Sequence, residues 1–184
     1  MRGHMDTICP QHNDAFLYGA GDQKIGEIIK PKASPNLYRK YGSQFKKRFL
    51  KNLPALKYLL DNVKATVSKR GYLIGLDGRH IYCSSQHAAL NYLLQGAGAL
   101  ICKRWLLEIE DLCKVNGLLH SWNGDFTFCA WVHDEVQIAC RNKQVAEEIG
   151  KYCEQAMVRV QEVFKFRCPL KASYDIGLTW ADTH

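Results

Sequence analysis

Between Asp125 and Cys140, apolar and polar positions alternate in two runs that meet at His133-Asp134-Glu135. On the near side Phe126, Phe128, Ala130 and Val132 alternate with Asp125, Thr127, Cys129 and Trp131; on the far side Val136, Ile138 and Cys140 alternate with Gln137 and Ala139. A period of two belongs to a half-buried antiparallel pair, so the pattern predicts a hairpin with three polar residues at its tip. A solvated turn would read the same way from this segment alone. A tip carboxylate can also hold a divalent cation against a phosphate, and the rest of the chain has to separate the two readings.

Elsewhere the spacing is helical. Residues 15–29 read as the end of a helix that breaks at Gly19-Ala20-Gly21, followed by a short helix. Pro31 and Pro35 mark a loop. Helices are then predicted over about 37–51 and, with Pro54 in a first-turn position, to about 69, where Gly71 closes the second. Asp77-Gly78 between residues 72–76 and 79–82 predicts a two-residue hairpin turn with positive backbone angles. A long helix follows over about 86–115. After the His-Asp-Glu hairpin come an amphipathic helix over about 143–163 and a β-like tail. The chain has no internal repeat and no low-complexity tract.

On the long helix His87, Asn91 and Gln95 fall at i, i+4 and i+8, one polar stripe among Ala89, Leu90, Leu93, Leu94, Ala97, Leu100 and Ile101. Such amides can contact the purine N3 and pyrimidine O2 acceptors of a DNA minor groove at any base pair, without reading its sequence. The alternative is a set of core-edge polar groups bonded to neighbouring backbone. Gly96 and Gly98 would allow another backbone, or a duplex, to come close.

Charge sharpens this picture. The 184 residues carry a net charge of +7, and 47% apolar content supports a core for one domain or one and a half. Twelve Lys/Arg lie between Lys30 and Arg70 against the single acid Asp61, whereas the remaining thirteen face seventeen acids. Tyr38, Tyr41, Phe45, Phe49 and Tyr58 interleave those cations at roughly helical spacing. The segment is therefore expected to pack one face and to offer a cationic one to a polyanion, nucleic acid being the natural choice. A solvated basic face is the blander reading. The eight cysteines form no C-x-x-C pair and are expected to be reduced, in a cytoplasmic compartment. No signal peptide and no run of about 18 apolar residues is present, so no membrane partner is expected. Met1-Arg2-Gly3-His4-Met5, with its second methionine, reads as a tag outside the fold.

Four motifs together carry a family resemblance. Phe16-Leu17-Tyr18-Gly19-Ala20-Gly21-Asp22 with Lys24-Ile25-Gly26, then Gly75-Leu76-Asp77-Gly78-Arg79, then His87-Ala88-Ala89-Leu90-Asn91 with Leu93-Leu94-Gln95 and Ala97-Gly98-Ala99, then Trp131-Val132-His133-Asp134-Glu135, resemble the C-terminal part of a family A DNA polymerase of the podophage replicative type. Order and approximate spacing agree for all four, from about Ala15 to His184.

The resemblance implies an α+β fold. An antiparallel palm-type sheet would be built around the 125–140 hairpin and backed by the 86–116 and 143–163 helices, with a helical fingers-derived portion ahead of it. The implied division is 1–14 as a tag or atypical leader, 15–85 as the fingers-derived portion with its hairpin, and 86–184 as the palm portion. Asp134 is implied to be the second of the two carboxylates that bind catalytic Mg²⁺, with Glu135 beside it and His133 near the primer terminus. Asn91 and Gln95 resemble the pair that probes the minor groove at the new base pair, and His87 sits where relatives carry a basic or imidazole residue. Tyr18 and Gly19 resemble the Tyr-Gly end of the fingers helix, where the templating base is placed. Primer-template DNA and a dNTP are the implied partners, in the host cytoplasm if the gene is a phage's.

The departures are as specific as the matches. Relatives carry Arg, Lys and Tyr/Phe on the fingers helix at the positions that fall here on Asp6, Pro10 and Asp14. Acids beside phosphates repel, and an intact helix does not run through Pro10. The family's first metal carboxylate, on a strand upstream of the fingers, has no counterpart either: none of Asp6, Asp14 or Asp22 lies in an apolar strand. Two-metal phosphoryl transfer needs carboxylates on both sides of ions about 4 Å apart. Two functions follow as expectations. One is a polymerase portion, inactive alone, that works with a complementary half carrying the other carboxylate. The other is a non-catalytic remnant that binds DNA or assembles with another protein.

Overall fold

The computed structural model describes residues 2–5 and 20–183. In chain order these form β1 (Arg2–Met5), α1 (Asp22–Ile29), α2 (Pro35–Asn52), α3 (Pro54–Arg70), β2 (Tyr72–Ile74), β3 (His80–Tyr82), α4 (Ala89–Val115), β4 (Phe126–Val132), β5 (Glu135–Cys140), α5 (Lys143–Phe164), β6 (Ala172–Asp175) and a closing 3-10 turn, Trp180–Thr183. The fold is α+β, with antiparallel sheets and packed helices. It divides into two compact units, one within residues 20–97 and one made of β1 with residues 98–183, the division falling inside α4.

In the second unit a four-stranded sheet runs in the order β4-β5-β1-β6. α5 buries Val145, Ala146, Ile149, Cys153, Ala156, Met157 and Val160, an apolar stripe at helical spacing, against the sheet and the later turns of α4. Asn142 caps α5 by accepting the Val145 N–H at 2.9 Å. Trp105 of α4 is 1% exposed and its Nε1–H donates to the Cys153 carbonyl at 2.8 Å, tying the two helices at the centre of the core. The predicted alternation holds along β5, where Val136 and Ile138 are buried. On β4 it breaks: a register shift between Phe128 and Ala130 adds a residue at Cys129, and both Trp131 and Val132 beyond it are exposed.

Arg2–Met5, read from the sequence as a tag, is instead a strand of this sheet. β1 pairs antiparallel with β5 (Arg2↔Gln137, Gly3↔Val136, His4↔Glu135) and with β6 (Arg2↔Asp175 through Met5↔Ala172). Ladder hydrogen bonds are made by backbone, so a short polar strand paired on both sides leaves no hydrophobic signature to be read.

In the unit of residues 20–97, α1 and α2 cross at two glycines. A Cβ on Gly26 would collide with the Tyr38 carbonyl, and one on Gly42 with the Asp22 carbonyl. Lys46 fastens the same contact, 2.9 Å from Asp22 Oδ1 and donating to the Ala20 carbonyl at 2.8 Å. Tyr38, Tyr41, Phe45 and Phe49 lie half-buried along α2 as expected, the last two rings 5.7 Å apart. Tyr58 does not join them and is 71% exposed, because the break at Leu53-Pro54 resets the helical phase. α3 ends at Gly71 in the left-handed region, φ 76°.

The β2–β3 turn also differs from expectation. Five residues, Gly75–Arg79, connect the strands; the Gly78 N–H donates to the Gly75 carbonyl, and Gly78 takes the left-handed angle. Asp77 keeps an ordinary φ because its carboxylate accepts the Arg79 N–H and pairs with the Arg79 side chain, closing the loop through side chains.

Candidate functional site

The hairpin tip is a two-residue turn. Val132 pairs with Glu135, leaving His133 and Asp134 between the strands, and His133 holds φ 54°. A non-glycine residue in the left-handed region costs about 1–3 kcal/mol and persists where its surroundings impose it. Trp131 braces the turn, its Nε1–H donating to the His133 carbonyl at 2.8 Å. His133 is exposed, Asp134 half-exposed, and Glu135 7% exposed. Gln137, two residues along the same strand face, donates its amide to Glu135 Oε1. The Asp134 carboxylate faces Cys102 of α4; burial first, then that negative charge, push the Cys102 thiol up to about 11. Sequence reasoning missed Trp131 and Gln137 as braces of this tip. Only Gln137 had a legible signal, the i, i+2 spacing that places it on the face of Glu135.

The polar stripe is built differently from its prediction. α4 begins at Ala89, so His87 lies in the turn before it, its N–H donating to Ser85 Oγ at 3.3 Å, and it is exposed. The expected start near residue 86 fails because the chain arriving from β3 must first turn through Ser84 and Ser85. Asn91 and Gln95 do sit one turn apart on α4, Asn91 half-buried and Gln95 exposed. Asn91 Oδ1 is shielded from solvent and has no hydrogen-bond partner among the described residues. Gly96 is filled by the Ile81 side chain, which a Cβ there would meet at 3.2 Å, whereas Gly98 opens onto free space. Tyr18 and Gly19, with Asp6, Pro10 and Asp14, lie outside the described residues.

The cations of 30–70 are on the surface as expected, all exposed except the half-buried Lys46 and Lys64. Among the described residues Lys46 is the only one of them joined to a carboxylate, and Lys30 sits 4.8 Å above the Tyr41 ring.

A family profile described as DNA polymerase family A matches residues 11–182. The chain belongs to DNA polymerase family A. It is 40% identical over 183 residues to the DNA-directed DNA polymerases of Enterobacteria phage T3 and Escherichia phage T7, covering 92% of this chain and 25% of each phage protein. The DNA-directed DNA polymerase of Escherichia phage Phieco32 is 34% identical over 181 residues, 92% of this chain and 26% of that protein. Among solved structures, the POL domain of Pol1 from M. smegmatis, in complex with DNA primer-template and dNTP, shares the fold at a TM-score of 0.70 and 19% identity, over 93% of this chain and 30% of that one. The chain thus spans about a quarter of the length of its phage relatives.

Within a family A chain the hairpin can be tested as a metal site on its own donors. Asp134 and Glu135 offer hard carboxylate oxygens, the donor type Mg²⁺ takes, and that ion keeps several waters and substrate phosphates in its shell rather than an all-protein cage. No group of three or more potential metal-ligating side chains gathers among the described residues. The tip fits Mg²⁺ as a partial donor set. Among the described residues no helix is long and apolar enough to cross a membrane.

Proposed function

We propose that this chain is the palm and fingers-end portion of a DNA-directed DNA polymerase, with residues from about 86 onward, joined by β1, serving as palm and the residues before them, to about 85, as the fingers-derived part. The observation that carries the reading is the His133-Asp134-Glu135 tip, strained at His133 and braced by Trp131 and Gln137, in a chain that matches family A almost from end to end. Asp134 would hold Mg²⁺, with Glu135 beside it; the bound cation would supply charge stabilisation at the phosphates during nucleotidyl transfer. His133, exposed on the same turn, would face the primer terminus. Asn91 and Gln95 would lie along the minor groove of the newest base pair, His87 near them, with Tyr18 and Gly19 at the templating base. The structural neighbour in complex with DNA primer-template and dNTP supports those ligands as the partners here, at a site that a further half would complete with the other carboxylate and the triphosphate cations.

The test is primer extension with this chain alone and mixed with a candidate half bearing those groups. The chain alone is expected to incorporate nothing, and the mixture to extend the primer. In that mixture Asp134→Ala should abolish incorporation, and a denaturant melt of the variant checks that the loss is not one of folding. Asn91→Ala and Gln95→Ala should instead weaken primer handling and fidelity. An Asp134→Ala mixture as active as its parent would refute the assignment. The remnant reading is favoured by Asp6, Pro10 and Asp14, which stand where the family resemblance implies two cations and an aromatic ring. It predicts DNA binding without incorporation in every mixture.

A further inference from the structure

The ribbon β2–β3 buries one face and leaves the other bare, and the bare face is aromatic. Leu73 and Ile81 pack with Val63 and Val67 of α3 and with Ala89 and Leu93 of α4. By strand alternation and the pairings Tyr72↔Tyr82 and Ile74↔His80, the residues Tyr72, Ile74, His80 and Tyr82 share the opposite face. Tyr72 and His80 stack with centroids 4.0 Å apart and planes 20° from parallel; the Tyr82 ring lies 5.9 Å from Tyr72 and 6.2 Å from His80. Tyr82 is 76% exposed and Ile74 54%. Three rings in one exposed array are not accounted for by the core they turn away from.

We infer that this face is a stacking platform for the unpaired bases of a single-stranded nucleic acid, such as template beyond the duplex, an assignment that rests on the polymerase reading above. Any base offers a π-face to such rings, so recognition would be independent of sequence. The charge around the platform fits a polyanion. Lys69 and Arg70, both exposed, end α3 just ahead of Tyr72, and the whole 30–70 segment is cationic. Asp77, the acid in the ribbon's turn, is held by Arg79, whose guanidinium keeps its carboxyl below the usual range. A protein partner covering this face would have to bring carboxylates for those cations and a flat apolar patch for the rings; single-stranded nucleic acid brings both features in one ligand.

The experiment measures fluorescence anisotropy of the full chain with a short single-stranded oligodeoxynucleotide, an abasic strand of the same length and a duplex. The parent should bind the base-bearing strand more tightly than the abasic one. Tyr82→Ala should lose about fivefold or more for the base-bearing strand only, the scale of one lost stacking contact, and Tyr82→Phe should restore it. Thermal melts should be unchanged for Tyr82→Phe and only slightly lowered for Tyr82→Ala, because Tyr82 is largely exposed and the alanine loses its cross-strand ring contacts alone. Equal parental affinity for base-bearing and abasic strands, or no effect of Tyr82→Ala, overturns the platform while leaving the polymerase reading intact if duplex still binds. Loss of a self-association in Tyr82→Ala, seen by sedimentation, would make the face a protein contact and overturn it as well. Failure to bind any of the three ligands at low salt would count against the polymerase reading itself.

Discussion

His133 shows how a single residue can carry strain that a fold imposes. Its positive φ is where glycine usually sits in a two-residue hairpin turn, and the Trp131 indole holds its carbonyl in place. The cysteines make the residue scale measurable. Burial pushes the thiols of Cys102 up to about 11 and Cys113 up to about 12, and raises Cys153 further, from about 9 in the unfolded chain. Above pH 9 the unfolded chain therefore gives up these protons first, so it binds fewer protons than the folded one and stability must fall as pH rises. Urea melts should show that decline between about pH 9 and 11, with a smaller one in Cys102→Ala; a flat profile would contradict it. At pH 8 a thiol reagent should label the exposed Cys129 and Cys168 in the folded chain, and Cys102, Cys113 and Cys153 only on unfolding.

At the scale of elements, two glycines with opposite surroundings make a paired prediction. Gly42 of α2 has the Asp22 carbonyl where a Cβ would go, while Gly98 of α4 has nothing within 4 Å of that position. Both are mid-helix, where alanine is favoured over glycine by up to about 1 kcal/mol in the absence of a clash. Gly42→Ala should therefore destabilise by about 1–3 kcal/mol through overpacking at the α1–α2 crossing, and Gly98→Ala should stabilise slightly. Denaturant melts read both signs, and a stabilised Gly42→Ala would mean that α1 and α2 do not approach as described. Gly26, facing the Tyr38 carbonyl, should behave like Gly42.

For the molecule as a whole, the charge pattern governs association. The exposed cations of 30–70 are mostly without carboxylate partners among the described residues, so duplex binding should be sequence-independent and strongly salt-dependent. Neutralising about four phosphates predicts a drop in affinity of about 100-fold between 50 and 200 mM salt. Binding that does not change over this range would assign the patch some other role. A sequence count found this patch because charge is additive along a chain and needs no knowledge of contacts.

Much of the fold was equally legible. Period-two alternation located β4 and β5 and the carboxylate tip between them. Apolar spacing at 3.6 located α5, and Pro54 and Gly71 marked helix ends, because these signals are local properties of backbone and side chain. Four motifs in order pointed to the family that the comparisons established. Tertiary structure alone decided the rest. Arg2–Met5 became a central strand through backbone hydrogen bonds that need no particular side chains. The bulge at Cys129 turned the end of β4 around, Tyr58 fell out of phase with α2, and His87 was left just outside α4. The braces on the Asp134 turn and the ring array on β2–β3 depend on distances between residues that the linear pattern does not fix, and those distances exist only once the strands have paired.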